Sequence, residues 1–286
     1  MLTKTPNGTQ YLTAPEAVIV AATRWEDADE IGRIQEDFLD PLFPDMDPED
    51  VYFNDDQIPN TACDGAILSK FAGQICYLSF GAQRTRNSEA AKYLEHIKAS
   101  GHGSVFEHVN YSLLLWGVSR AFTHELVRHR AGFGFSQVSQ RYVAGRHVRF
   151  VESPAHSFYP ELHAEFEAWI DQCAEQYQRR EQILLRVSGI DPAKATTEQR
   201  KAVRQEARRC LPNETEAPVL VTGNLRAWRH LIEQRASRFA DAEICAAAYL
   251  CFEKLRAHEP MLWSDYTVET VREDGLPTVQ TQYRKV

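Results

Sequence analysis

At 286 residues, 43% hydrophobic and 25% charged, the chain is long enough for one large domain or two small ones and can bury a core. With 14 Gly, 13 Pro and six scattered Cys lacking a C-x-x-C pair, it is neither collagen-like nor a disulfide scaffold, and its composition is not that of a disordered chain. Its longest apolar runs, residues 18–22 and 113–118, fall far below the roughly 20 residues of a spanning helix.

The first 16 residues lack the apolar stretch of a signal peptide, so the expectation is a soluble, cytoplasmic protein with reduced thiols and no membrane partner. The net charge of −8 hides an asymmetry. Residues 26–56 carry thirteen acids against one base, Arg33, whereas residues 120–149 carry six Arg and three His against Glu125 alone. The acidic balance argues against a nucleic-acid partner. The Arg cluster, undiluted by Lys between residues 99 and 193, suits a small phosphorylated ligand.

Residues 1–60 are acidic, Pro-containing and weakly periodic, and read as an N-terminal extension. The expected division is an extension over 1–65, a main domain over 66–270 and a tail over 271–286. An EF-hand at Asp45-Met46-Asp47 fails, because Pro48 and Asp50 stand where a ligand and the turn glycine belong. Residues 88–100 predict a helix ending at Gly101-His102-Gly103, residues 105–118 a strand, and residues 119–129 a helix with Phe122, Leu126 and His129 on one stripe. The glycines of residues 131–140 predict a loop, and residues 142–151 alternate as a strand. Residues 159–188 predict an amphipathic helix with Phe166, Trp169, Ile170, Cys173 and Tyr177 on its apolar face. Residues 196–210 predict another helix, stopped by Pro212; residues 219–222 a short strand; and residues 224–256 one long helix. The order is that of an α+β chain with a mixed or antiparallel sheet and long helices.

Several constellations fail on geometry. His124 and His129 are five apart, about 140° round a helix, so they do not share a zinc ion as H-E-x-x-H does. Gly132 and Gly134 begin like a dinucleotide fingerprint but follow a helix and lack the third Gly. Cys210 at a helix end reads as a small apolar residue rather than a nucleophile. The dense segment is 128–142, with three Arg, a His, two Ser, two Gln and a Tyr around a glycine-bearing loop, where Gln can read an imide edge. Downstream, Asn224 and Arg235 share a helix face three turns apart, about 20° in projection, with His230 about 120° round from Asn224.

At these two segments the chain resembles the flavin-dependent thymidylate synthases. The matching motifs are Arg128-His129-Arg130, Ser139-Gln140-Arg141-Tyr142, and Asn224-Leu225-Arg226 through Arg235. Supporting matches are Ser79, Phe106-Glu107-His108, Glu125, Ala207-Arg208 before Leu211-Pro212, and Ala242-Glu243-Ile244. The resemblance spans about residues 70–266. It implies a homotetramer with active sites shared between subunits, holding FAD. The implied reaction is methylation of dUMP to dTMP, with methylenetetrahydrofolate as one-carbon donor and NADPH as reductant. Carried over residue by residue, Ser79, His108, Arg128, His129, Arg130, Ser136, Asn224, Arg226 and His230 would hold the flavin. Glu125, Gln137, Val138, Ser139, Arg141, Arg208 and Arg235 would surround the nucleotide, with Arg235, Ser139 and Glu125 catalytic, Ser139 as a hydrogen-bonding group and not a nucleophile. No metal is implied. The chain departs from the family in having eight residues rather than seven between Arg130 and Ser139, and in placing Phe239 where many members have a flavin-contacting His. Two alternatives stay open: C5 methylation or hydroxymethylation of another pyrimidine nucleotide such as UMP, and a non-catalytic nucleotide- or flavin-binding module.

Overall fold

The computed structural model describes residues 1–25, 33–44, 64–80, 90–143 and 148–284. Most of the acidic run and residues 88–89 of the first predicted helix lie outside the described residues.

The centre is a four-stranded antiparallel sheet in the order β3-β4-β7-β5: β3 (Glu16–Ala22), β4 (Asn110–Trp116), β7 (Val219–Asn224) and β5 (Phe133–Gln137). Period-two alternation decides its two faces. Tyr111, Leu113, Leu115, Val219 and Val221 point into the core, while Val18, Val20 and Leu114 lie on the outer face. Two helices cover the inner face, α6 (Leu225–Arg235) and α7 (Ala242–His258). The small buried residues Cys245, Ala247, Ala248 and Cys251 suit α7 to close packing in the core. Trp228 and Trp263 are almost fully buried; removing a large apolar side chain from water stabilises by roughly 1.5–3 kcal/mol. Helices α1 (Asp64–Tyr77) and α2 (Ala90–Ala99) flank this core, α2 through Tyr93, Leu94 and Ile97.

A second layer joins β1 (Leu2–Lys4), β2 (Gln10–Leu12) and β6 (Phe150–Val151), with β2 and β6 parallel. Tyr11 and Phe150 pack on Phe166, Ile170 and Cys173 of α4 (Pro160–Val187). The Tyr11 hydroxyl donates to Glu167 at 2.9 Å, and Thr5 Oγ1 to Asp171 at 2.7 Å. The remaining elements are α3 (Arg120–Leu126), α5 (Thr197–Ala207, closed by the Thr196/Gln199 capping box) and the hairpin β8 (Tyr266–Glu269)–β9 (Thr278–Thr281).

The α+β class with antiparallel sheets stands, and five described cysteines are free thiols. Among the described residues no helix is long and apolar enough to cross a membrane. Several expectations change. Residues 1–25, read as the start of an extension, are built into both sheets, and the expected tail contributes Val279 to the core. Residues 103–107 form a 3-10 turn packed on α6, so the strand begins only at Asn110. The loop expected over 131–140 contains β5, because the free edge of β7 supplies hydrogen-bond partners that the local glycines do not foretell. Of the strand expected over 142–151, the described residues show Phe150–Val151 as strand and Tyr142 and Val143 in a turn held by the Ser139 carbonyl, while residues 144–147 lie outside the described residues. Trp169 is 41% exposed rather than on the buried face of α4. The single helix expected over 224–256 is two. Ala236 leaves helical geometry and its carbonyl accepts from Val279 N at 2.8 Å. Arg272 NH1 donates to the Ala240 carbonyl at 2.7 Å, and Asp241 caps α7 by accepting from Glu243 N.

Candidate active site

α3 and the turn after it hold the first group of predicted residues. The helix buries Phe122, Thr123 and Leu126, and its register leaves Glu125 half-buried at the other side. It stops at Val127; Arg128 N donates to the Glu125 carbonyl and His129 N to the Leu126 carbonyl. This tight turn leaves Arg128 and Arg130 exposed with His129 half-buried between them. His129 therefore lies past the end of the helix, not on the Phe122–Leu126 stripe.

Arg235, the last residue of α6, meets this turn. Its Nε donates to His129 Nε2 and its NH1 to Glu125 Oε2, both at 2.9 Å. Since His129 Nε2 accepts, its ring proton sits on Nδ1. Burial, then the charge of Arg235, then His230 push the His129 pKa down to about 4, so the ring is neutral at pH 7. His230 lies edge-on to it, 6.1 Å between centroids. At the other end of α6, Asn224 Oδ1 accepts from Ala227 N at 2.8 Å and caps the helix, leaving its amide NH2 as a free donor. Gly132 (φ +76°) approaches that amide so closely that a Cβ would stand 2.9 Å from Asn224 Nδ2. Arg226 pairs with Glu107, and the neighbouring His108 is exposed. Pairing of Asn110 with Asn224 brings these residues to one end of the sheet. Ser79 is half-buried just beyond α1, and Ser136 is exposed on the outer face of β5. Arg229 belongs to the core instead. It is fully buried, bonded to both carboxylate oxygens of Asp265 at 2.7 and 3.0 Å, with Tyr266 against its guanidinium.

The second group lies at the far end of β5, four residues on, or roughly 14 Å at the rise of a strand. Val138 N donates to the Pro218 carbonyl at 2.9 Å and the strand ends. The Ser139 carbonyl accepts from both Tyr142 N and Val143 N at 3.1 Å, so Ser139 and Arg141 sit on a closed turn directly after Gln137, the last residue of β5, and Val138. Arg204 of α5 donates to the Tyr142 carbonyl and secures it. Among the described residues, Arg141 Nε and Gln140 Nε2 are buried without a hydrogen-bond partner. A cavity of about 420 Å³ opens beside this turn, walled in part by Val138, Gln140, Leu211, Thr215 and Pro218.

Arg208, just past α5, is near enough to Arg120 that its charge, after burial, lowers the Arg120 pKa. Among the described residues neither guanidinium has a carboxylate partner. Two like charges that feel one another are relieved by an anion between them. Sequence reasoning counted Arg120 in the basic cluster but gave it no role; the signal it carried was the Ser119-Arg120 helix start with no acid in the first turn.

One chain therefore holds two clusters. Arg235, Glu125 and His129 meet at the flavin-type set of Arg128, Arg130, Asn224 and His230. Ser139 and Arg141 lie on the separate turn that follows Gln137 and Val138, and the charge of Arg208 is felt at Arg120. The first cluster fits an anionic, carbonyl-bearing cofactor, since among the described residues it offers the exposed Arg128 and Arg130, the His129 Nδ1–H and the Asn224 amide against two carboxylates, Glu125 and Glu107, each already paired with an arginine. The second fits a phosphate.

The model of a family described as thymidylate synthase complementing protein matches residues 61–261. A flavin-dependent thymidylate synthase from Mycolicibacterium gilvum (strain PYR-GCK) is 42% identical over 229 residues, 80% of this chain and 88% of that protein. Another so named, from Corynebacterium efficiens, is 37% identical over 216 residues, 76% of this chain and 85% of that protein. Among solved structures, a UMP/dUMP methylase from Streptomyces cacaoi bound with 5-Br dUMP matches 89% of this chain and 95% of its own with a TM-score of 0.55. At 17% identity that likeness is one of fold.

Proposed function

The chain belongs to the flavin-dependent thymidylate synthase family, and from that premise we propose how its residues serve the reaction. The reaction is the reductive methylation of dUMP to dTMP, with methylenetetrahydrofolate giving the one-carbon unit and NADPH the reducing equivalents. FAD supplies the redox chemistry when bound, which frees the protein from needing a thiol.

Arg128, His129, Arg130, Asn224 and His230 hold the flavin, with Ser79, His108, Ser136 and Arg226 around it. Arg141, Arg208 and Arg120 neutralise the nucleotide phosphate. Gln137, Val138 and Ser139 hydrogen-bond the nucleoside. Arg235 stabilises the charge that develops on a pyrimidine oxygen as carbon 5 becomes nucleophilic. The observation that carries the reading is the Arg235 guanidinium, fixed from two sides by Glu125 and neutral His129 while a quarter of it stays open to solvent. A donor held in this way costs little reorganisation when charge appears.

The site is shared between subunits of a homotetramer, one chain giving the Arg235 cluster and another the 137–141 turn with Arg208. The separation of the two clusters along β5 supports this. So does the outer sheet face, where Val18, Leu114 and Leu220 stand in register as an apolar row. The catalytic unit takes in the expected 66–270 together with the strands of residues 1–25 and β9. The enzyme is cytoplasmic.

The test is tritium release from 5-tritiated dUMP with FAD, NADPH and methylenetetrahydrofolate, beside an identical mixture with 5-tritiated UMP. Release from dUMP with recovery of dTMP is expected. Release from UMP alone would move the substrate, and silence in both by a protein that binds no FAD would favour a binding module.

A further inference from the structure

The first turn of α7 lies outside both clusters, yet it holds the start of α3 by a carboxylate. Glu243 Oε1 accepts from Ser119 N at 2.6 Å, and Oε2 accepts from Ser119 Oγ at 2.5 Å. Ser119 is 3% exposed. Its hydroxyl works in two directions at once, donating to Glu243 and accepting from Phe122 N at 3.1 Å as the cap of α3. Ordinary helix caps need no second residue behind them. Here a buried carboxylate, whose desolvation is costly, is spent on orienting one serine.

The residue after that serine is Arg120. Its main-chain N–H donates to the Asn213 and Thr215 carbonyls, both at 3.0 Å. The backbone of Arg120 is thus fixed on one side by the 213–215 segment and on the other by α7 through Ser119. Its charge is opposed by that of Arg208, which opens the turn leading into the 213–215 segment, and like charges move apart wherever the backbone allows. Charge-assisted bonds, shorter and about twice as strong as neutral ones, resist that displacement.

We propose that Glu243 is a positioning residue for the nucleotide phosphate, acting through Ser119 to hold Arg120 against the 213–215 segment that follows Arg208. The proposal rests on the reading above, in which the Arg120/Arg208 pair receives the phosphate of dUMP.

The experiment compares FAD-loaded wild type with Glu243→Gln, Ser119→Ala and the double variant. It reads the dissociation constants of dUMP and of deoxyuridine, the thermal midpoint and the flavin absorbance. Gln keeps the shape but turns an N–H donor toward one of the two Ser119 donors. For Glu243→Gln, dUMP affinity is expected to fall on the order of 10- to 100-fold, the loss that a misplacement of about 1 Å brings. Deoxyuridine affinity stays within about twofold, because it has no phosphate to lose. The double variant is no worse than the worse single one, since both changes break the same chain of contacts. Equal losses for both ligands would overturn the proposal and make the contact a general structural cap, as would unchanged dUMP binding or additive effects. If Glu243→Gln does not fold, Ser119→Ala alone is read by the same comparison. A wild-type protein that binds FAD but not dUMP sinks the parent reading, which distinguishes that failure from failure of Glu243's role.

Discussion

Arg235 is the residue on which the chemistry turns. Its two hydrogen bonds do unequal work: Glu125 balances the charge, whereas His129 balances none, being neutral, and only fixes direction. A protonated His129 would present an N–H to the guanidinium and expel it. Arg235→Ala is therefore expected to lower kcat/KM at least about 100-fold, the scale of losing one preorganised donor at a developing charge. Because the side chain is partly open to solvent, the thermal midpoint should move by only a few degrees; a variant with full activity on dUMP would remove Arg235 from the site. Gly132 makes a second residue-scale case. Gly132→Ala meets both a positive φ and a Cβ position 2.9 Å from Asn224 Nδ2, so it strains the turn and pushes the α6 cap. Weaker FAD binding is expected, with dUMP affinity little changed. Unaltered FAD affinity would mean that the cap residue does not touch the cofactor.

Between elements, a buried carboxylate ties the first turn of α1 to the end of α7. Glu259, at the end of α7, accepts from Gly65 N at 3.0 Å in the first turn of α1. Burial is the largest influence on it and pushes its pKa up to about 7, against the opposing backbone donors Gly65 and Ala66. A carboxyl raised in the folded state binds more protons there than in the unfolded chain. Its contribution is thus fully present below about pH 4.5 and lost as pH rises through about 7, a change of about 3 kcal/mol. Glu259→Gln keeps an acceptor for Gly65 without the charge. Its thermal midpoint should match wild type near pH 4.5 and exceed it by several degrees at pH 8. Equal midpoints at pH 8 would show that the charge is relieved by solvent. His129 titrates over an overlapping range with the opposite sign, its depressed pKa costing stability as pH falls from about 6.5 towards 4. For that reason the difference between variant and wild type is the quantity to follow, not either profile alone.

Over the whole molecule, what could be read from sequence divides by the range of the interactions. The Arg128-His129-Arg130 turn, the Asn224-to-Arg235 face and most of α4 follow from local spacing, and the chain resembles its family through them. β5 was hidden because Gly132 and Gly134 mark a loop locally, whereas the edge of β7 lies over 80 residues away. The break between α6 and α7 was hidden because Val279 and Arg272, which take the carbonyls of Ala236 and Ala240, come later in the chain. Spacing also gave no warning that the predicted site residues form two clusters, since β5 points one way in a single chain whatever its motif contains. That division leads to a test of the shared site. Arg235→Ala disables one cluster and Arg208→Ala the other, so each homo-oligomer is expected to be inactive. If every site draws the two clusters from different chains, random co-assembly gives sites with both halves intact in about a quarter of cases. Co-expression of the two variants should then restore about that fraction of wild-type tritium release, and mixing the separately assembled proteins without subunit exchange should restore none. A co-expressed mixture as silent as its parents would place both clusters of each site on one chain, which the length of β5 opposes.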